Sequence, residues 1–280
     1  MINNNTPFIS CEASYDDANL VIFGAPYDKT ASFKKGTRFA PATIRQDSDG
    51  IETYSPYQDK DLENIKVFDA GDLPICELDP VIMIKKVQEF TAKVLADGKT
   101  PIMLGGEHLV TLGAAHAIVN QYPDIYFLHF DAHTDLRNDY LGEMLSHATV
   151  MRRVWELVGD RRIFQFGIRS GERHEFAFAE AHTYMNKFNC DNIDSVISHL
   201  KGKDVYVTID LDILDPSIFS GTGTPEAGGI TFSELLSCVL KLADLNIVGA
   251  DLNELSPEHD KSGVSTAVAC KILRELLLVI

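Results

Sequence analysis

IYFLHFDAHTD, residues Ile125–Asp135, is the stretch on which the fold reading turns. Its first half, Ile125–Phe130, is a near-continuous apolar run, as expected of a strand covered on both faces. Its second half turns abruptly polar, with Asp131, His133 and Asp135 at alternate positions. If strand geometry persisted to Asp135, all three side chains would share one side. A buried strand that runs into a carboxylate–imidazole cluster suggests an open α/β sheet, where ligands bind beyond the carboxyl ends of strands.

The same pattern recurs along the chain. Short apolar runs at Leu20–Phe23, Ile65–Phe68, Pro101–Leu104, Ile163–Phe166, Val205–Ile209 and Ile247–Ala250 read as strands. Helical patterns separate or follow them at Val81–Leu95, Leu109–Val119, Thr149–Val158, Phe232–Leu242 and Val264–Leu278. Alternation of this kind implies βα crossovers and a mostly parallel sheet. No repeat, low-complexity tract or Pro-rich linker divides the chain, so residues 1–280 are expected to form a single domain.

Two further strand ends are polar in the same way. Pro101–Leu104 runs into Gly105-Gly106-Glu107-His108, and Val205–Ile209 into Asp210-Leu211-Asp212. The candidate ligands are therefore His108, Asp131, His133, Asp135, Asp210 and Asp212. Four carboxylates gathered in one cleft would repel one another, and divalent cations resolve that conflict. Mixed oxygen and nitrogen donors suit Mn2+ or a similar first-row ion better than a thiolate-rich structural zinc site. Paired ions can acidify a shared water, so no serine or cysteine nucleophile is needed. The chain has no G-x-S-x-G elbow and no P-loop. Gly221-Thr222-Gly223 lacks the dinucleotide spacing, so no nucleotide cofactor is expected.

Composition narrows the class further. With 25 Lys and Arg against 41 Asp and Glu, the net charge of -16 disfavours nucleic-acid binding. No run of 18 apolar residues is present, so no membrane helix is expected. The start, MINNNTPFISCEASYDDAN, has no basic region and no long apolar run, and is not read as a secretory signal. Five scattered cysteines without a C-x-x-C pair suggest reduced thiols and a cytoplasmic protein.

GGEH at Gly105–His108, DAHTD at Asp131–Asp135 and TIDLD at Thr208–Asp212 together resemble the ureohydrolase family, which includes arginases and agmatinases. FKKGTRFAPATIR (Phe33–Arg45), GTGTPEAGG (Gly221–Gly229) and DLNELSPEHD (Asp251–Asp260) extend the similarity over nearly the whole chain. The resemblance implies an arginase-like three-layer α/β/α fold and a centre of two Mn2+ ions. It implies that His108 and Asp135 bind one ion and His133 and Asp212 the other, with Asp131 and Asp210 bridging. It further implies attack of a metal-bridging hydroxide on a guanidinium carbon, releasing urea and an amine, in a homotrimer or homohexamer.

Further roles remain expectations. Glu254, just past the Ile247–Ala250 strand, can accept paired hydrogen bonds from a guanidinium, or it can be a capping or surface carboxylate. His147, in LSHATVMRR, matches the family's proton-relay histidine, or it is a core or capping residue. Asp135 is also expected to orient the attacking hydroxide. Position 137 carries Arg where arginase-like sequences have an asparagine, and Asn138 comes one place later. Arg137 either meets a substrate carboxylate or pairs with Asp139 or Glu143, and pairing is preferred. DLRNDYLGEMLSHATVMRR (Asp135–Arg153) resembles a bacterial agmatinase subgroup, so the expected substrate is a small cationic guanidine, agmatine. Arginase, guanidinobutyrase, guanidinopropionase or formiminoglutamase activity is the alternative, and a deacylase or a non-catalytic metal-binding protein lies further off.

Overall fold

The computed structural model describes residues 6–280, so the first five residues of the N-terminal stretch read above lie outside the description. In chain order the elements are β1 (Leu20–Ala25), α1 (Ala40–Asp47), β2 (Tyr54–Ser55), β3 (Lys60–Asp61), β4 (Val67–Asp72), α2 (Pro80–Ala96), β5 (Thr100–Gly105), α3 (Val110–Gln121) and β6 (Tyr126–Phe130). They continue with α4 (Val150–Val158), β7 (Ile163–Ile168), α5 (Arg173–His182), β8 (Tyr184–Lys187), α6 (Ile193–Leu200), β9 (Asp204–Asp210), α7 (Phe232–Lys241), β10 (Asn246–Asn253) and α8 (Val264–Val279).

Eight strands pair in the order β4-β1-β5-β10-β9-β6-β7-β8, and every pairing in this sheet is parallel. The two-residue strands β2 and β3 form a small antiparallel hairpin apart from it. Strand alternation divides the buried side chains between two clusters. Leu128 and Phe130 of β6 join Val205, Val207 and Ile209 of β9 and side chains of α1, α6, α7 and α8. Phe127 and Tyr206 point the other way, toward α2, α3, α4 and α5. The chain is therefore a three-layer α/β/α sandwich, with helices covering both faces of a parallel sheet as the crossovers require.

Local chemistry marks the helix ends. Asp79 caps α2 through Val81 N–H, and Pro80 follows at the first helical position, where its missing donor costs nothing. A reciprocal Thr231–Glu234 capping box opens α7.

The structure adds α1, α5, α6, β8 and the β2–β3 hairpin to the elements anticipated from sequence. β8, YMNK, is an edge strand paired on one side only, so no apolar run announces it. α5 fully buries only Glu175 and Ala179, which leaves almost no apolar stripe. α6 does carry a signal in the sequence, with Ile193, Val196, Ile197 and Leu200 buried at helical spacing. The strand placed at Ile65–Phe68 lies further on, as Val67–Asp72.

The four central strands β5, β10, β9 and β6 are consecutive neighbours in the sheet. Their carboxyl ends deliver Glu107 and His108, Glu254, Asp210 and Asp212, and Asp131 through Asp135 to one edge. Sheet order, and not sequence order, thus gathers these segments.

Candidate metal centre and its cavity

β6 ends at Phe130, so the strand geometry conjectured for Asp131–Asp135 does not persist. Asp131 N–H donates to Phe166 O, Thr134 N–H donates to Ser170 O, and Asp135 takes a left-handed φ of 53°. The three side chains converge through this bent loop and not through strand alternation. On β9, Asp210 is the last strand residue and Asp212 sits in the following 3-10 turn, with Asp212 N–H donating to Asp210 Oδ1 at 2.8 Å. Glu254 directly follows β10 with φ 66°. Left-handed backbone at non-glycine residues is costly, and two instances at one sheet edge mark a geometry held by its surroundings.

Glycine makes room for this arrangement. A Cβ on Gly106 would run into the Tyr27 backbone, and one on Gly105 into the Asn253 side chain. The paired glycines of GGEH therefore let β5 pass close to two neighbours before presenting His108.

Candidate ligand atoms of His108, His129, Asp131 and Asp135 lie within 4.8 Å of one another, as do those of Asp131, His133 and Asp212. Asp131 belongs to both groups. Asp210 belongs to neither, yet its Oδ2 lies 3.3 Å from His108 Nδ1, a nitrogen also 3.1 Å from Asp131 Oδ2 and 3.3 Å from Asp135 Oδ2. His133 Nδ1 lies 3.0 Å from Asp212 Oδ2. The sequence-read ligands are thus brought together, and His129 is a buried addition the sequence reading missed. A lone polar residue inside the apolar run YFLHF, two positions before Asp131, was the available signal.

The donor set fits divalent cations. His108 Nδ1 and Asp212 Oδ2 are buried without a hydrogen-bond partner, a costly state unless an ion takes the lone pairs. The tautomer of His108 points the same way. Thr208 Oγ1 donates to Asp251 Oδ1 at 2.5 Å, so it must accept from His108 Nε2, 2.8 Å away. With the hydrogen fixed on Nε2, Nδ1 is the ring nitrogen left to bind a metal, and the Thr208–Asp251 pair holds the ring in place.

Without cations the cluster is electrostatically strained. Burial and repulsion from Asp131 push Asp135 up to about 6. Burial, Asp212 and Asp131 raise Asp210 well above the carboxylate range. Burial would raise Asp131 too, but His129 and the other surrounding histidines hold it well below that range. His108 and His133 rise, because neighbouring carboxylates outweigh burial. Divalent charge would relieve the same repulsion.

Above the cluster lies a cavity of about 280 Å³, whose lining includes His108, His133, Asp135, His147, Asp210 and Glu254. Glu254 Oε1 accepts His108 N–H at 2.7 Å, and burial with repulsion from Glu107 raises its carboxyl. His147 also lines the cavity, with Ser32 Oγ 3.0 Å from Nε2 and Thr30 Oγ1 accepting the His147 backbone N–H at 3.1 Å. Thr30 also donates through N–H and Oγ1 to Glu107, tying the loop after β1 to β5. Burial lowers His147 to about 4, so the ring is neutral near pH 7.

Arg137 also lines the cavity. It pairs with neither Asp139 nor Glu143. Its guanidinium lies 3.2 Å from Glu172 and 3.4 Å from Glu175, and rests 5.1 Å from the Tyr140 ring centre. Asp139 instead accepts Gly142 N–H in its own turn. α5, the helix the sequence did not reveal, brings Glu175 to Arg137, so this partner was invisible to local reasoning. Exposed Asn138 is not among the lining residues. The cysteines are free thiols, four of them buried, and among the described residues no helix is long and apolar enough to cross a membrane.

The chain matches the Arginase family over residues 18–279. It is 45% identical over 276 residues to an agmatinase of Bacillus anthracis, covering 97% of this chain and 95% of that one. An agmatinase of Halalkalibacterium halodurans is 46% identical over 275 residues, with 97% and 95% covered. Among solved structures, the agmatine ureohydrolase of Thermoplasma volcanium superposes with a TM-score of 0.89 at 33% identity, covering 99% of this chain and 95% of that chain.

Proposed function

We propose, from the premise that this chain belongs to the arginase family, that it hydrolyses agmatine to putrescine and urea with two Mn2+ ions. The chain is a ureohydrolase-family protein with a buried His/Asp cluster of the binuclear metal-binding type.

In this reading His108, Asp131, His133, Asp135, Asp210 and Asp212 would hold the two ions. Two such ions, when bound, would supply the charge that acidifies a nucleophilic water near neutral pH. Glu254 accepts guanidinium N–H groups and fixes the planar carbon over the cluster, an orientation effect. Asp135 accepts a hydrogen bond from the attacking water and aims its lone pair. His147, neutral and lining the same cavity, takes a proton and passes it to the departing amine nitrogen, with the Ser32 hydroxyl at Nε2 linking it to solvent. Water adds to the carbon, the C–N bond to the chain breaks, and urea and the primary amine leave.

The observation that carries the substrate assignment is the pairing of Arg137. Its charge is met by Glu172 and Glu175, so two carboxylates against one guanidinium leave this wall with excess negative charge. Such a wall suits the ammonium tail of agmatine. It offers no free cation to the α-carboxylate of arginine, and leaving that group unpaired is costly. The agmatinase relatives support the same substrate. We further propose a cytoplasmic homotrimer or homohexamer, which light scattering on the eluting protein would test.

The deciding experiment is a panel of agmatine, arginine, guanidinobutyrate and formiminoglutamate on fully Mn2+-loaded protein, with products resolved by chromatography. Agmatine is expected to show the highest kcat/KM. Equal or better efficiency on arginine would defeat the substrate assignment and leave the metal chemistry standing.

A further inference from the structure

We infer that His129 is a positioning residue which donates from Nε2 to Asp131 and thereby shapes Asp131 into a carboxylate that can serve two ions at once. This rests on the metal-binding reading of the cluster.

The argument starts at Gln165 on the neighbouring strand β7. Its Nε2 lies 2.9 Å from Thr134 O and 3.1 Å from His129 Nδ1, while Thr183 Oγ1 donates to its Oε1 at 3.0 Å. Thr134 O is a carbonyl and can only accept, so the amide nitrogen must face it. The second amide hydrogen then points at His129 Nδ1, which must be bare. A ring with a bare Nδ1 carries its hydrogen on Nε2, and Nε2 lies 2.7 Å from Asp131 Oδ2.

Proximity alone would count His129 among the possible metal ligands. The hydrogen on Nε2 removes it from that set, because no lone pair then faces the cluster. What the ring supplies is a directed donor. Asp131 Oδ2 accepts from His129, and Oδ1 accepts His133 N–H at 2.5 Å. Each oxygen thus spends one lone-pair direction on a fixed hydrogen bond and keeps another for an ion. Two donors on opposite oxygens also prevent rotation of the carboxylate plane. The whole relay is buried, with His129 and Asp131 at 0% exposure and Gln165 at 1%, so water cannot replace the missing donor readily.

The test is Mn2+ titration of metal-free wild type, His129→Phe and His129→Gln, read by bound stoichiometry and by the electron paramagnetic resonance signal of the coupled ion pair. Phe keeps a ring and removes the donor, whereas Gln can present an amide N–H in its place. His129→Phe is expected to weaken metal binding about 10–100-fold and to diminish the coupled-pair signal. His129→Gln is expected to recover most of both. If Phe binds two ions as wild type does, or if Gln is as impaired as a folded Phe variant, the inference is wrong. Nitrogen-15 resonances of His129 in the metal-free wild type decide the point without any substitution, including where His129→Phe does not fold. A protonated Nε2 supports the inference, and a protonated Nδ1 overturns it. Wild type that fails to bind an ion pair would bring down the metal reading itself, a result separable from a failure of His129 alone.

Discussion

Replacing Glu254 by Gln probes how the cavity holds its substrate. Oε1 of Glu254 is committed to His108 N–H at 2.7 Å. A Gln side chain can keep that bond with its one oxygen, which places its NH2 group where Oε2 stood. Toward a guanidinium, which has only donors, this exchange weakens one contact and abolishes another. Charge-assisted hydrogen bonds contribute about 1.5–3 kcal/mol and neutral ones about 0.5–1.5 kcal/mol. Losing one contact outright and the charge from the second costs about 3–4 kcal/mol, or about 10²–10³-fold in kcat/KM. The assay is product release from agmatine at equal metal loading. Stability should move the other way. The carboxyl of Glu254 is raised in the folded state by burial and by Glu107, so its contribution to stability is present at low pH and lost as pH rises through the raised value. Metal-free Glu254→Gln, with nothing to ionise, is therefore expected to melt higher than wild type on the alkaline side of that range. A kcat/KM within tenfold of wild type would refute the role of Glu254 as guanidinium acceptor.

Titrating metal-free protein with Mn2+ should bind two ions per chain and raise the melting temperature, each site contributing about 2.7 kcal/mol at a hundredfold excess over its Kd. Full turnover with one bound ion would sink the two-metal mechanism. Asp131→Asn and Asp210→Asn should lower kcat more than His147→Ala at equal metal loading, since a bridging carboxylate serves both ions while water or buffer partly replaces a proton relay. A normal Asp131→Asn beside an inert His147→Ala would reverse these roles. His147 is lowered by burial to about 4 when folded, against an ordinary value near 6.5. The unfolded chain therefore binds the extra proton first, and wild-type stability falls as pH drops from 6.5 toward 4. Metal-free His147→Gln should lose less stability over that window in chemical denaturation, and an identical slope would show that the ring is not held neutral.

The polar strand ends were readable in the sequence because a strand buried on both faces is largely apolar, and IYFLHF, apolar but for His129, gives way to DAHTD at one sharp boundary. His108, Asp131, His133, Asp135, Asp210, Asp212, Glu254 and His147 were all named from such local contrasts and from the family's motifs. Local pattern determined which residues stand at strand ends, and the α/β alternation determined that the sheet is parallel. It could not determine that β5, β10, β9 and β6 lie side by side, since strand order is set by how crossovers pack helices on both faces. Neither could it find the partners of Arg137, because Glu172 and Glu175 arrive from the start of α5, a helix with almost no apolar stripe. The hydrogen on His129 depends on Gln165 and Thr183, 36 and 54 positions away along the chain. Periodicity records whether a side chain is buried. Which donor meets which lone pair is decided only when separate strands are placed next to one another.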